Sequence, residues 1–255
     1  MLEIQNLCAG YPGKDVLKSI HFTAPAGKVT AIIGPNGCGK STLLKTLCGI
    51  LPVQSGQVSL GGQAILGLSS RELAKIAAYL PQSRPIPDMT AQRMVLHGRF
   101  PYLGYPRRYG KSDYAWADRA MEAMGISELA DTPLQQLSGG QRQKVYIAMA
   151  LAQDTPVILL DEPTTYLDIS HQLQMMHLAK DLAARGKTVV MVIHDLPHAL
   201  QTADHIVLLH QGTVAAQGTP EEIYASGKIP QVFQVALHRT EDKTGLHYYC
   251  EAKTI

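Results

Sequence analysis

Apolar residues along the chain follow two patterns. Continuous apolar runs such as KVTAIIG (28–34), PVILLDEP (156–163) and TVVMVIHD (188–195) are strand-sized and end in glycine, proline or charge. Such runs read as strands buried on both faces, as in a parallel sheet. Near the N-terminus, LEIQNL and a stretch around SIHFTA are shorter strand-like pieces broken by GYPGKD, which predicts an antiparallel hairpin or small sheet. QSGQVSLGGQAI (54–65) predicts another hairpin, turning at Gly61-Gly62. KSTLLKTLCG reads as a short helix closed by Gly49. From about Arg84 to Asp154 strand runs disappear, and SDYAWADRAMEAMGI (112–126) and the residues after LSGGQ (137–141) read as helices. Alternation then returns through PVILLDEP, the helix HQLQMMHLAKDLAARG (171–186), TVVMVIHD and IVLLHQGTVAAQG (206–218). The prediction is an α/β fold with a parallel core sheet flanking a helical insert. We find no internal repeat or low-complexity tract.

Composition adds limits. With 255 residues, 45% hydrophobic and 17% charged, the chain suits one large globular domain or two small ones. A formal net charge of +2 gives no reason to expect broad attraction to nucleic acid or anionic lipid. Cys8, Cys38, Cys48 and Cys250 are scattered without a C-x-x-C pair, which argues against a zinc site or disulfide framework and suits a reducing cytosol. The N-terminus lacks the layout of a signal peptide, and no apolar run approaches the ~18 residues of a membrane span. The chain is expected to be soluble by itself.

The chemistry concentrates in a few motifs. GPNGCGKST (34–42) fits G-x-x-x-x-G-K-[ST] between a strand and a helix, the setting of a P-loop. Gly34, Gly37 and Gly39 allow the backbone, including Pro35, Asn36 and Cys38, to wrap N–H groups around phosphate oxygens. Lys40 is placed to reach β- and γ-phosphates, Ser41 to coordinate Mg²⁺, with Thr42 following on the helix. Asp161 ends an apolar strand, where a carboxylate suits hydrated Mg²⁺, and Glu162 points elsewhere and suits polarising an attacking water. His194 follows another apolar strand and belongs at the same sheet edge, placed to donate to a γ-phosphate or to steady Glu162. His198 stands four residues on, but Pro197 between them and the lack of a third ligand argue against zinc. Ser138 and Gln141 form a capping box, and Gly139 and Gly140 leave N–H groups bare at the helix's positive end, a second anion site.

In that order, the P-loop, LSGGQ and VILLDEP resemble the ATP-binding cassette (ABC) ATPases, a likeness that runs from Leu2 to about Tyr224. The resemblance implies ATP and Mg²⁺ as cofactors and a P-loop NTPase fold with a small antiparallel β subdomain. One ABC ATPase domain would span 1–255, with a core at 1–83 and 155–227, a helical subdomain at 84–154 and a short extension at 228–255. Tyr11 looks like the aromatic that stacks on adenine, and Gln82 like the γ-phosphate sensor that contacts Mg²⁺ and water. Asp168 looks like the loop acid that communicates across a dimer, and His194 like the switch histidine. Cys38 stands where serine is common, and a thiol there is expected to invite alkylation; Tyr166 fills a variable place.

The resemblance also accounts for two anion sites in one chain. Two copies are expected to close head to tail, trapping ATP between the P-loop of one and Ser138-Gly139-Gly140-Gln141 of the other. A partner should dock at the helical insert. Within it, VLHGRFPYLGYPRRYGKSDY (95–114) is irregular and rich in basic and aromatic residues, which suits either stacking on RNA or a plain exposed connector. Its G-R-F-P segment, HQ in LDISHQ and the closing QGTPEEIY are similar to ATPases of importers for ferric siderophores, haem and cobalamin. That likeness implies an ATPase at the cytoplasmic face of the membrane. Its partners would be integral membrane permease subunits and, indirectly, an extracytoplasmic substrate-binding protein, with no nucleic acid. The alternatives are an importer ATPase for another substrate, such as molybdate, or a soluble non-transport ABC ATPase. The tail LHYYCEAKTI reads as part of a terminal strand pair.

Overall fold

The structure, a computed structural model, describes residues 1–82, 85–165, 167–243 and 245–252. Arg84, Tyr166 and residues 253–255 of the tail, all named above, lie outside the described residues. The chain begins with β1 (Leu2–Tyr11), β2 (Lys14–Ala24), β3 (Val29–Ile33) and α1 (Lys40–Leu47), then β4 (Val53–Leu60), β5 (Gln63–Ala64), α2 (Ser70–Leu73) and β6 (Ala77–Leu80). The insert supplies α3 (Ala91–Leu96), a 3-10 turn at His97–Tyr102, α4 (Lys111–Ala123) and α5 (Gly139–Ala152). The remainder is β7 (Val157–Asp161), α6 (Ile169–Ala184), β8 (Thr188–Val192), α7 (Leu196–Thr202), β9 (His205–His210), β10 (Thr213–Gly218), α8 (Pro220–Ala225), α9 (Lys228–Phe233), β11 (Val235–Asp242) and β12 (Gly245–Ala252).

One sheet carries the order β10-β9-β3-β8-β7-β6, with β10 antiparallel at one edge and the other neighbours parallel. Its apolar runs are continuous because both faces are covered. Val29, Ala31 and Ile33 face one cluster with Met191, Leu160 and Leu208, under Ala179 and Leu182 of α6 and Ala199 of α7. Ile32, Leu159, Val190 and Val207 face the other, with Leu43 and Leu44 of α1 and Leu7, Ile20 and Phe22 of the first hairpin. Burying each such side chain contributes roughly 1.5–3 kcal/mol, so the sheet's identity rests on this alternation. A second sheet, β2-β1-β4-β5, is antiparallel. A third apolar cluster joins Val95 and Leu96 of α3, Ala117 and Met121 of α4 and Val145 and Ala148 of α5.

Several element ends differ from expectation. The first hairpin runs through GYPGKD, leaving only Pro12 and Gly13 as the turn, because Tyr11 pairs with Lys14 and Gly13 takes φ +74°. Helix α4 stops at Ala123, and Gly125 at φ +60° turns the chain away. The Gly61-Gly62 hairpin stands as anticipated, with both glycines at positive φ. Helix α2 and strand β6, four residues each, stand beyond the elements expected; Ser69 and Glu72 close a capping box at the start of α2. LHYYCEA forms β12 and pairs with β11.

Candidate functional site

Strand order explains why distant motifs meet. Neighbouring strands β3, β8, β7 and β6 deliver, at their carboxyl ends, the P-loop, His194, Asp161-Glu162 and Gln82. Such an edge is where ligands bind in parallel α/β sheets. Gly34 takes φ +154°, and a Cβ there would lie 2.3 Å from the Leu209 carbonyl. Gly39 is the N-cap of α1 at φ +109°, with no side chain capping the helix. The first N–H groups of α1 therefore have no side-chain acceptor of their own. Lys40 is 5% exposed, and its Nζ donates to the carbonyls of Gly34 (2.7 Å) and Pro35 (3.0 Å). Among the described residues no carboxylate lies within ion-pair distance of it. A buried ammonium held only by carbonyls at an uncapped helix start suits an anion.

The acids take different environments. Asp161 is 2% exposed, and its two oxygens accept from Ser41 Oγ (3.0 Å) and Tyr79 OH (3.2 Å). Burial pushes its carboxyl above the usual range, partly opposed by those two hydroxyls. Glu162 leaves the strand at φ +51°, a strained backbone for a non-glycine residue. One Glu162 oxygen pairs with His194 Nε2; the other accepts from Gln82 Nε2 and, at 3.4 Å, from Thr165 Oγ1. Tyr11, Asn36, Gly37, Gly39, Lys40, Ser41, Thr42, Glu162 and His194 line one cleft of about 580 Å³. The structure thus brings together most residues that the sequence nominated.

The signature and Asp168 stand apart from that cleft. Ser138 Oγ accepts from Gln141 N (3.2 Å), and Gln141 Oε1 accepts from Ser138 N (2.9 Å), closing the capping box. Ser138, Gly139 and Gln141 are exposed, Gly140 half-buried. None of the four lines the cleft. Asp168 caps α6, accepting from His171 N (2.9 Å) and His171 Nδ1 (2.7 Å), contacts that hold its carboxyl below the usual range. His194 precedes α7, which is capped by Asp195, so His194 and His198 do not share a helix face. Cys38 corrects an expectation: it is buried with its Sγ packed by Gly34, and burial raises the thiol, which makes it a poor target for alkylation.

The sequence missed Lys14, Lys18 and Gln211, which also line the cleft, and Tyr79, which reaches Asp161. Only their neighbours in space mark them. The importer-like segments prove to be local braces. Arg99 is buried, donating to Asp113 (3.3 Å) and the Ala152 carbonyl (2.9 Å) beneath the Tyr102 ring. Gly98 abuts the Met149 carbonyl, where a Cβ would sit at 2.1 Å. Gln172 donates to the Leu167 carbonyl, and Thr219 and Glu222 of QGTPEEIY form a capping box.

The chain's residues 17–165 match the family model described as ABC transporter. It is 43% identical to the iron(3+)-hydroxamate import ATP-binding protein FhuC of Bacillus subtilis (strain 168), over 92% of this chain and 88% of that one. Identity is also 43% with the ferric enterobactin transport ATP-binding protein FepC of Escherichia coli (strain K12), covering 90% and 85%. A solved ABC transporter assigned to the metal-chelate type, in an inward-facing conformation, superposes with TM-score 0.85 at 28% identity, covering 99% of this chain and 98% of that one. Cleft, capped signature and relatives agree: the chain belongs to the ABC transporter family, among its ATP-binding subunits.

Proposed function

We propose that the chain hydrolyses ATP to drive import of a metal chelate (a ferric siderophore, haem or cobalamin) through separate membrane permease subunits. The observation that carries the ATPase half is Glu162, held between Gln82 and His194 at the edge of a cleft floored by the P-loop. Lys40 and the P-loop N–H groups bind the phosphates, and Tyr11 supports the adenine. Glu162 accepts a proton from the attacking water, while Gln82 and His194 fix its carboxylate and sense the γ-phosphate. The chelate half rests on the two relatives whose names specify iron(3+)-hydroxamate import and ferric enterobactin transport.

The Ser41 hydroxyl and the Asp161 carboxylate are hard oxygen donors beside the phosphate cradle, a set that fits Mg²⁺, with Gln82, bonded to the adjacent Glu162, as its third member. Bound there, Mg²⁺ supplies charge neutralisation on the β- and γ-phosphates. Gly39 and Ser138 head two different helices, and the cleft uses only the first. A second copy therefore supplies Ser138, Gly139, Gly140 and Gln141 to each cleft, and Asp168 lies between the copies. ATP binding closes the pair, hydrolysis releases it, and the permease follows. The chain works at the cytoplasmic face of the membrane, held by its permease, with an extracytoplasmic binding protein delivering cargo. No helix among the described residues is long and apolar enough to cross a membrane.

The test is affinity capture of the tagged Glu162→Gln chain from detergent-solubilised native membranes with ATP and Mg²⁺, read by mass spectrometry. We expect a stoichiometric polytopic permease. Ribosomal proteins or DNA without a membrane subunit would overturn the importer reading.

A further inference from the structure

We propose that Tyr79 is a positioning residue. Its hydroxyl holds one oxygen of Asp161, keeps the other turned toward Ser41, and so sets the affinity of the cleft for a divalent cation. This rests on the reading above that Ser41 and Asp161 hold that cation.

Strand pairing makes the contact. Tyr79 of β6 stands opposite Leu159 of β7, and Asp161 lies two residues further along β7 on the same face. That diagonal is within reach of an aromatic side chain but not of a short one. The ring packs against the apolar cluster beneath α1, while the hydroxyl emerges beside the carboxylate. The phenol donates to Asp161 Oδ2 at 3.2 Å and Ser41 Oγ donates to Oδ1 at 3.0 Å, so each oxygen has its own donor. Those donors play different parts. Ser41 belongs to the P-loop, and its hydroxyl must exchange this bond for the cation. Tyr79 belongs to the sheet, and its bond on the far oxygen is compatible with a cation on the near one.

A carboxylate rotates readily about its terminal torsion. Buried at 2% exposure, this one has few other groups to fix it. With Oδ2 held, Oδ1 stays aimed at Ser41. Without the phenol, the carboxylate turns, and a desolvated charge loses one of its two hydroxyl donors. Strand β6 also continues into Pro81 and Gln82, whose amide reaches Glu162. One strand end therefore grips Asp161 of β7 through Tyr79 and the Glu162 that follows it through Gln82. A purely structural tyrosine would serve the packing alone, and phenylalanine would replace it without effect on the cation.

The experiment uses the full chain and Mn²⁺ as the probe, followed by electron paramagnetic resonance with a saturating non-hydrolysable ATP analogue. For Tyr79→Phe we expect the Mn²⁺ dissociation constant to rise about 10-fold, the size of one hydrogen bond to a charged group. Analogue affinity in EDTA should stay at the parent value, which also reports that the variant is folded. Leu159→Val, which trims the packing beside Tyr79 and leaves the hydroxyl, should leave the Mn²⁺ constant unchanged. Asp161→Asn should lose the cation, and adding Tyr79→Phe to it should cost nothing more. Three results would overturn the proposal: an unchanged Mn²⁺ constant in folded Tyr79→Phe, an equal fall of metal-free analogue affinity, or an equal rise in Leu159→Val. If Asp161→Asn itself kept its Mn²⁺, the reading of the cation site would fail along with the proposal; loss there with no effect of Tyr79→Phe sinks the proposal alone.

Discussion

The chain has two glycine-rich helix starts, and they solve the same electrostatic problem in opposite ways. At α1 the N-cap is Gly39 in the left-handed region, no side chain caps the helix, and Lys40 is buried beside it. At α5 the N-cap is Ser138, and Ser138 and Gln141 close a capping box on an exposed surface. Both ends carry the positive pole of a helix. The first is built around a missing acceptor; the second satisfies itself. An uncapped, cationic pocket binds an anion strongly by itself, whereas a self-capped end adds little until something is brought against it. This difference supports the proposal that the P-loop binds nucleotide first and that the signature acts when a second copy closes on it.

The largest test of that contrast is Glu162→Gln. Loss of the general base should slow ATP hydrolysis by roughly 10²–10⁴-fold while ATP binding persists. The variant should therefore accumulate as an ATP-bound dimer in light scattering. Hydrolysis at the parent rate would show that Glu162 is not the base.

Next, Lys40→Ala should weaken ATP binding about 100-fold, through loss of charge-assisted contacts each worth roughly 1.5–3 kcal/mol. Ser138→Arg should leave ATP binding near the parent value and prevent dimer closure. Neither variant should hydrolyse ATP appreciably alone. Mixed, they should regain activity, because one composite site then pairs the intact cradle of the Ser138→Arg chain with the intact signature of the Lys40→Ala chain. A mixture as inactive as its parts would break the comparison, since it would place both anion sites in one chain's service.

The smallest effect is expected of Ser138→Ala. It removes the N-cap of α5 and should lower stability by about 1 kcal/mol in chemical denaturation, with ATP binding to the isolated chain unchanged. If metal-free ATP affinity also fell, the signature of a chain would be acting on its own cleft.

How much of this was legible in the residues differs by the range of the interaction involved. The P-loop and the capping box at Ser138 are local devices, each set by turn chemistry or hydrogen bonds over a few residues, and Asp161 and Glu162 are legible because they end a continuous apolar run. The Gly61-Gly62 turn is of the same kind. Cys38 departs from expectation because reactivity depends on exposure, and burial against Gly34 is not written in its neighbours along the chain. Arg99 looked like part of an exposed basic and aromatic stretch, yet it is inside, paired with Asp113. Strand β6 is not legible because a four-residue apolar stretch, even with Pro81 after it, does not separate a strand from a helix turn.

Motif and period by themselves determined that this is an α/β P-loop protein with a cradle for phosphate, two adjacent acids and a capped signature helix. Only the tertiary structure decided that Gln82 joins His194 on Glu162, that Tyr79 takes the second oxygen of Asp161, and that Lys14 and Gln211 share the cleft. The physical reason is strand order. Hydrogen bonds within a turn or cap join residues close in sequence, whereas the sheet places β3, β8, β7 and β6 side by side through long crossovers. Which strand lies beside which is settled by burial of both faces, and that is a property of the packed molecule.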